Sequence, residues 1–203
     1  MKEEENISDL LSIFDLCRQG SRALGPGLRY VIWTQGCPFH CDGCVTPSSR
    51  PITKERQVQI HDLADDILNR PNIEGITISG GEPFIQSRVL ADLLDLVLLN
   101  RPELTVIIYT GFMVETLTGT EEKRLLEHID LLIDGPYMKE FNDNKGLRGS
   151  SNQRFHFITP RLLPWKEELQ EGKRRVEYHL TPEGAKIYGV PPASFTNIKD
   201  KQQ

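Results

Sequence analysis

Long apolar runs are scarce in this chain of 203 residues. The longest, around Leu93 to Leu99, is broken by Asp95 and is far shorter than the ~20 residues that span a bilayer. The first residues lack the basic start and apolar stretch of an export signal and carry Glu3, Glu4 and Glu5 instead. Basic charge is not in excess either: 24 Lys and Arg stand against 29 Asp and Glu, a net charge of −5, so nothing draws the chain generally to phosphate backbones or anionic membranes. These deficits lead to the expectation of a cytoplasmic protein with neither a nucleic-acid nor a membrane partner. Cysteine is sparse and does not form a disulfide framework. Cys37, Cys41 and Cys44 sit within one short segment while Cys17 stands alone upstream, and in a reducing compartment such clustering favours metal or cluster ligation.

What is present reads as strands alternating with helices. Asp9 to Cys17 has a weak apolar pattern suggesting a short element, and Gly20 to Gly27 reads as a loop. Leu28 to Thr34 is β-branched and aromatic, the first core strand. Thr53 to Asn69 places Val58, Ile60, Leu63 and Ile67 at mostly helical spacing ahead of Pro71. Ile73–Ser79 and Leu104–Thr110 are expected strands, Ser87–Asn100 and about Glu121–His128 expected helices, and Asp130–Asp134 a further strand. Such alternation implies parallel pairing through crossovers, with the sheet covered on both faces. Gly135 to Gln153 is a long Gly-, Asn- and Asp-rich loop, a length that usually signals function or mobility. Arg174–Thr181 and Lys186–Val190 flank Pro182-Glu183-Gly184 as a terminal hairpin, with a tail from Pro191.

Two local patterns carry chemistry. Cys37-x3-Cys41-x2-Cys44 puts three thiolates on one compact loop just after a strand. Thiolates are the usual ligands of iron–sulfur clusters, and an iron without a cysteine can bind an outside ligand. A structural zinc site is the alternative; it needs a fourth ligand, for which His40 and Cys17 are available. Further on, Ser79-Gly-Gly-Glu-Pro83 sets two glycines and an acid at the carboxyl end of an expected strand, the edge where parallel α/β folds place ligands. Glycine lets a ligand approach the backbone, and Glu82 with strand-end carbonyls suits an ammonium group. A helix-capping acid after a Gly-Gly turn is the purely structural reading of the same residues.

Gly36-Cys-Pro-Phe-His-Cys-Asp-Gly-Cys44, then Ser79-Gly-Gly-Glu-Pro83, then Tyr109-Thr-Gly111 resemble, in that order, the radical S-adenosylmethionine superfamily. Within it, Gly25-Pro-Gly-Leu-Arg29 is similar to the motif shared by activases of glycyl-radical enzymes. Ile133-Asp-Gly-Pro-Tyr137 and Arg148-Gly-Ser-Ser-Asn-Gln-Arg154 resemble those acting on anaerobic ribonucleotide reductase. The chain departs from that pattern at Leu24, ahead of the Gly-Pro-Gly motif, and at Val45-Thr46-Pro47 after the cluster loop.

The resemblance implies an α/β fold, an open partial (β/α) barrel of the radical SAM type with a short C-terminal β-hairpin. Its parts would be an N-terminal extension (1–20), a core (21–160), and a hairpin and tail (161–203). It implies a [4Fe-4S] cluster on Cys37, Cys41 and Cys44, with S-adenosyl-L-methionine chelating the fourth iron and cleaved there to a 5′-deoxyadenosyl radical. Gly80, Gly81 and Glu82 would then receive the methionyl amino group, and Gly43 and Val45 would line the adenine side. Thr110 and Asp134, which end expected strands on the ligand-bearing edge, would lie near the nucleoside. The implied partners are a glycyl-radical enzyme, whose glycine-bearing loop could enter an open barrel sideways, and a low-potential electron donor such as a flavodoxin or ferredoxin. Radical chemistry on another peptide, protein or small molecule, and a non-catalytic zinc-stabilised interaction module, are the competing functions.

Overall fold

The computed structural model describes residues 9–181 and 184–192. Its centre is one seven-stranded sheet in the order β3-β1-β2-β4-β5-β6-β7. The strands are β1 (Leu10–Ser21), β2 (Arg29–Thr34), β3 (Gln57–Gln59), β4 (Gly75–Gly80), β5 (Thr105–Tyr109), β6 (Leu131–Asp134) and β7 (Arg154–Phe157). Neighbours β2, β4, β5 and β6 run parallel, whereas β1, β3 and β7 are added antiparallel at the two sides. The sheet ends at β3 and β7 and does not close into a barrel. A separate two-stranded hairpin, β8 (Val176–Thr181) with β9 (Gly184–Gly189), follows. The turn at Pro182–Glu183 and the tail beyond residue 192 lie outside the described residues.

Helices α1 (Ile60–Leu68), α2 (Ser87–Asn100) and α3 (Thr120–Glu127) follow β3, β4 and β5 and cover one face. Alternation along the strands decides which face each side chain serves. Ile76, Ile78, Val106, Ile108 and Leu132 point to the helices and meet Leu63, Ile67, Leu90, Leu94, Val97 and Leu125 in the main core. Ile107, Leu131 and Ile133 point the other way, onto Leu147, Leu162 and Leu169. The last of these belongs to α4 (Lys166–Glu171). Burial on both faces explains the near-continuous apolar character of the parallel strands.

Three differences from expectation have local causes. The short element expected over Asp9–Cys17 is the long strand β1, and it runs through the start of the expected Gly20–Gly27 loop. Its register shifts at Ile13/Asp15 and Cys17/Ser21 scramble the period-two pattern. The helix expected from Thr53 begins only at Ile60, because Gln57–Gln59 pairs with Leu10–Ser12 at the sheet edge. Residues 160–171, given no element beforehand, form a short 3₁₀ turn and α4, which bury Leu162 and Leu169. Among the described residues, no helix is long and apolar enough to cross a membrane.

Candidate functional site

The carboxyl ends of β2 and β4 build one side of a cleft. After β2 the chain leaves at Gly36 and returns at Ser49–Arg50, and the neck of this excursion is closed by two backbone bonds. The Gly36 N–H donates to Ser49 O at 2.8 Å and the Cys37 N–H to Arg50 O at 2.9 Å. All three cysteines of the triplet ride on this loop and line the cleft, partly exposed. Thr46 ties the loop to the Gly-Gly turn by donating its hydroxyl to Gly80 O at 3.2 Å.

The Gly-Gly turn fits against the same neck. The Gly81 N–H donates to Thr34 O at 2.8 Å and the Glu82 N–H to Gly36 O at 2.7 Å. A Cβ on Gly80, whose φ is +106°, would meet Thr34 N at 2.4 Å, and one on Gly81 would meet Gly36 O at 2.2 Å. Neither position admits a side chain. Glu82 is buried, yet it lines the cleft and is held by three donors: the Thr110 hydroxyl at 2.8 Å, the Gly111 N–H at 2.7 Å and the Phe84 N–H at 3.0 Å. Burial outweighs these bonds and pushes its carboxyl up to about 7. Burial likewise raises the Cys37 and Cys41 thiols.

Of the residues singled out from sequence, Cys37, Cys41, Cys44, Val45, Gly80, Gly81, Glu82 and Thr110 converge on this cleft, whereas Gly43 and Asp134 do not line it. Asp134 is fully buried at the end of β6. It accepts bonds from Arg154 Nε at 3.0 Å and the Val114 N–H at 2.7 Å, and His156 Nε2 lies 3.1 Å away. The cleft also recruits residues that sequence reading missed. Phe39, within the cysteine loop, packs its ring where a Gly111 side chain would be, 2.7 Å from that Cβ position, and meets Phe112 edge-on at 4.9 Å. Aromatic character inside the cysteine loop was the available signal. Gln153 shapes the long loop after β6: its side-chain oxygen accepts from the Gly149 N–H at 2.8 Å, and its amide donates to Gly135 O at 2.9 Å. Trp33 and the segment Gly189–Pro191 complete the wall.

The donor set suits an iron–sulfur cluster. Three thiols share one wall of the cleft, on a loop with an intact neck. The two candidates for a fourth zinc ligand stand elsewhere: Cys17 is buried with Leu24, Val31 and Tyr188, and His40 is exposed; neither lines the cleft. Among the described residues, no three His, Cys, Asp or Glu side chains gather as ligands of a single ion. A cluster, which spreads its thiolates over separate irons, asks for no such convergence.

Comparison with known proteins agrees with this chemistry. Residues 23–156 match the family model described as a 4Fe-4S single cluster domain. The anaerobic ribonucleoside-triphosphate reductase-activating protein of Enterobacteria phage T4 is 30% identical, the match covering 71% of this chain and 92% of that protein. The proteins of the same name from Escherichia coli (strain K12) and Vibrio cholerae are each 32% identical over 66% of this chain and 91% of their own length. The chain therefore belongs to the 4Fe-4S single cluster domain family and, within it, to the anaerobic ribonucleoside-triphosphate reductase-activating proteins.

Proposed function

We propose that this chain is a radical S-adenosylmethionine enzyme of the cytoplasm that installs a glycyl radical on an anaerobic ribonucleoside-triphosphate reductase. The observation that carries the reading is the meeting of Cys37, Cys41 and Cys44 with the Gly80–Glu82 turn in one cleft. The names of the relatives support the target. Parallel strands β2, β4, β5 and β6 with α1 to α3 on one face support an open partial (β/α) barrel of the radical SAM type. Its core would span 21–160, with segment 1–20 before it in sequence and segment 161–203 after it, although β1 (Leu10–Ser21) joins the same sheet.

When bound, the cluster and S-adenosylmethionine together supply one-electron cleavage of the sulfonium and a 5′-deoxyadenosyl radical that takes hydrogen from the target glycine. The chain's own residues bind and orient. Cys37, Cys41 and Cys44 would hold three irons of the cluster, and since neither Cys17 nor His40 lines the cleft, the fourth iron would be left to the methionyl group. Gly80 and Gly81 let the turn pack onto Thr34 and Gly36 and so bring it to the cleft, where Glu82, its ionised form favoured by an ammonium beside it, would face the methionyl amino group. Thr110 and the Gly111 N–H hold Glu82 in that position. Val45 offers an apolar surface beside the cysteines for the adenine, with Gly43 in the same loop and Asp134 bracing the neighbouring strand end. A flavodoxin or ferredoxin of low potential would supply the electron.

The test is anaerobic preparation followed by metal analysis, a cleavage assay and paramagnetic resonance. About four irons per chain with sulfide, release of methionine and 5′-deoxyadenosine on reduction, and a glycyl doublet after mixing with the reductase are expected. Zinc in place of iron would overturn the reading.

A further inference from the structure

A second cavity adjoins the cysteine cleft, and Val190 lines both. Its volume is about 150 Å³, and it opens between the Gly25-Pro26-Gly27 turn and the segment that joins α4 to β8. That is room for one phosphate and one ring, well below the ~300 Å³ at which pockets for larger ligands begin. The radical chemistry proposed above makes no use of it.

The charge of this cavity is opposite to that of the chain. Arg22, Lys173, Arg174 and Arg175 line it, and Glu168 is the one carboxylate among the described residues that do, in a protein of net charge −5. Glu168 is paired with Arg175 at 2.5 Å. Arg22 meets Glu74 only at 3.5 Å, an exposed pair that contributes little. Lys173 has no carboxylate partner among the described residues. Arg174 donates its terminal nitrogens to carbonyls, Pro191 O at 3.0 Å, Arg148 O at 2.8 Å and Gly149 O at 2.9 Å, while its Nε is buried with no partner among the described residues. Burial lowers its pKa, although Asp143 is near enough to oppose the shift. A buried donor left open is unfavourable, and an anion beside it would relieve both the bond and the charge.

The other walls suit the same kind of ligand. Gly27 holds a φ of +75°, and a Cβ on it would point away from the cavity, 2.8 Å from Glu74 Cβ, so backbone rather than side chain faces the space there. Trp165, from the turn before α4, adds an aromatic wall with 42% of its surface exposed. We propose that this cavity binds a small phosphate ester bearing a planar ring, the phosphate seated among Arg22, Lys173 and Arg174 and the ring on Trp165. Guanidinium and ammonium donors match phosphate oxygens, and the indole face takes a ring by stacking. Through Arg174 the ligand touches the guanidinium that ties Gly149 to Pro191, two residues of the cleft wall, without sharing the cysteines.

The experiment titrates phenyl phosphate, inorganic phosphate and phenol into the anaerobically prepared full chain, followed by calorimetry. Phenyl phosphate is expected to bind at a single site, about fivefold tighter than inorganic phosphate, and phenol not measurably. Arg22→Gln with Lys173→Gln should weaken phenyl phosphate about tenfold, and Trp165→Leu should bring it down to the affinity of inorganic phosphate. Lys123→Gln, on α3 at the opposite face of the sheet, should stay within about twofold. Arg22, Lys173 and Trp165 are exposed, so these variants should melt with the unaltered chain, which separates lost binding from lost folding. No binding of phenyl phosphate by the unaltered chain, or affinity within about twofold of it in the double variant, overturns the site. A preference for phenyl phosphate that survives Trp165→Leu overturns the seat of the ring. Either failure leaves the cysteine chemistry untouched, since none of the altered residues lines that cleft.

Discussion

Thr110 donates its hydroxyl to Glu82 at 2.8 Å, and through that bond the turn after β4 is bolted to the end of β5. The carboxylate is 1% exposed, and burial raises its pKa from 4.5 to about 7. The sign of the consequence follows from proton uptake. Between those two values the folded chain holds a proton that the unfolded chain has released, so this group's contribution is complete below about 4.5 and is lost as pH rises through about 7. Melting of the cofactor-free protein should therefore show stability falling across that window. Glu82→Gln, which turns an amide donor toward the Gly111 N–H, should be less stable at low pH and nearly flat across the window. Parallel pH profiles for the two proteins would show that the slope arises elsewhere.

The triplet makes a sharper separation. Cys37→Ala, Cys41→Ala and Cys44→Ala should each lose iron and cofactor cleavage together. Cys17→Ala should keep both, because Cys17 lies 2% exposed in the cluster with Tyr188 and has no place on the cleft. Its removal should lower stability by about 1 kcal/mol through lost packing. Iron analysis of the four variants checks this, and loss of iron on changing Cys17 would sink the ligand assignment.

How much of this was legible beforehand depended on whether the signal was local. The cysteine spacing and the Gly-Gly-Glu turn are contiguous patterns, and the structure brings them together. The parallel strands announced themselves as apolar runs because both faces are covered. β1 did not, since two register shifts break its alternation, and Gln57–Gln59 was absorbed into the helical pattern that follows it. Trp33, Gln153 and Pro191 reach the cleft from strand, loop and tail. No spacing rule links positions so far apart, and only packing does.

Cluster loading should depend on pH in the opposite direction to the Glu82 term. Burial raises the Cys37 and Cys41 thiols, so near neutrality both carry protons that incoming iron must displace. Reconstitution should be faster and iron retention tighter as pH rises from about 7 to about 8.5. Iron content after desalting, measured across that range, checks it. Loading that weakens with rising pH would contradict the thiol assignment.

Gly25-Pro-Gly-Leu-Arg29 brings a guanidinium beneath the strands rather than to the cofactor. Arg29 is fully buried and donates from Nε to Thr77 Oγ1 at 2.7 Å, from one terminal nitrogen to Pro26 O and Thr105 Oγ1, and from the other to Ile76 O and Thr105 O. Burial lowers its pKa to about 9, and among the described residues its hydrogen bonds go to carbonyls and hydroxyls of Pro26, β4 and β5 rather than to a carboxylate. Gly25 has to be glycine for this seat, because a Cβ there would lie 2.6 Å from Ile107 and 2.8 Å from Arg29 Cδ. Arg29→Met should therefore destabilise the fold by about 3 kcal/mol, since it strands the Ile76 and Thr105 carbonyls without a donor. Arg29→Lys, with a single ammonium, should recover only part of that. Urea unfolding of the metal-free chains measures both. A loss below about 1 kcal/mol in Arg29→Met would mean that water replaces the guanidinium, and the motif would then need a role at the partner surface instead.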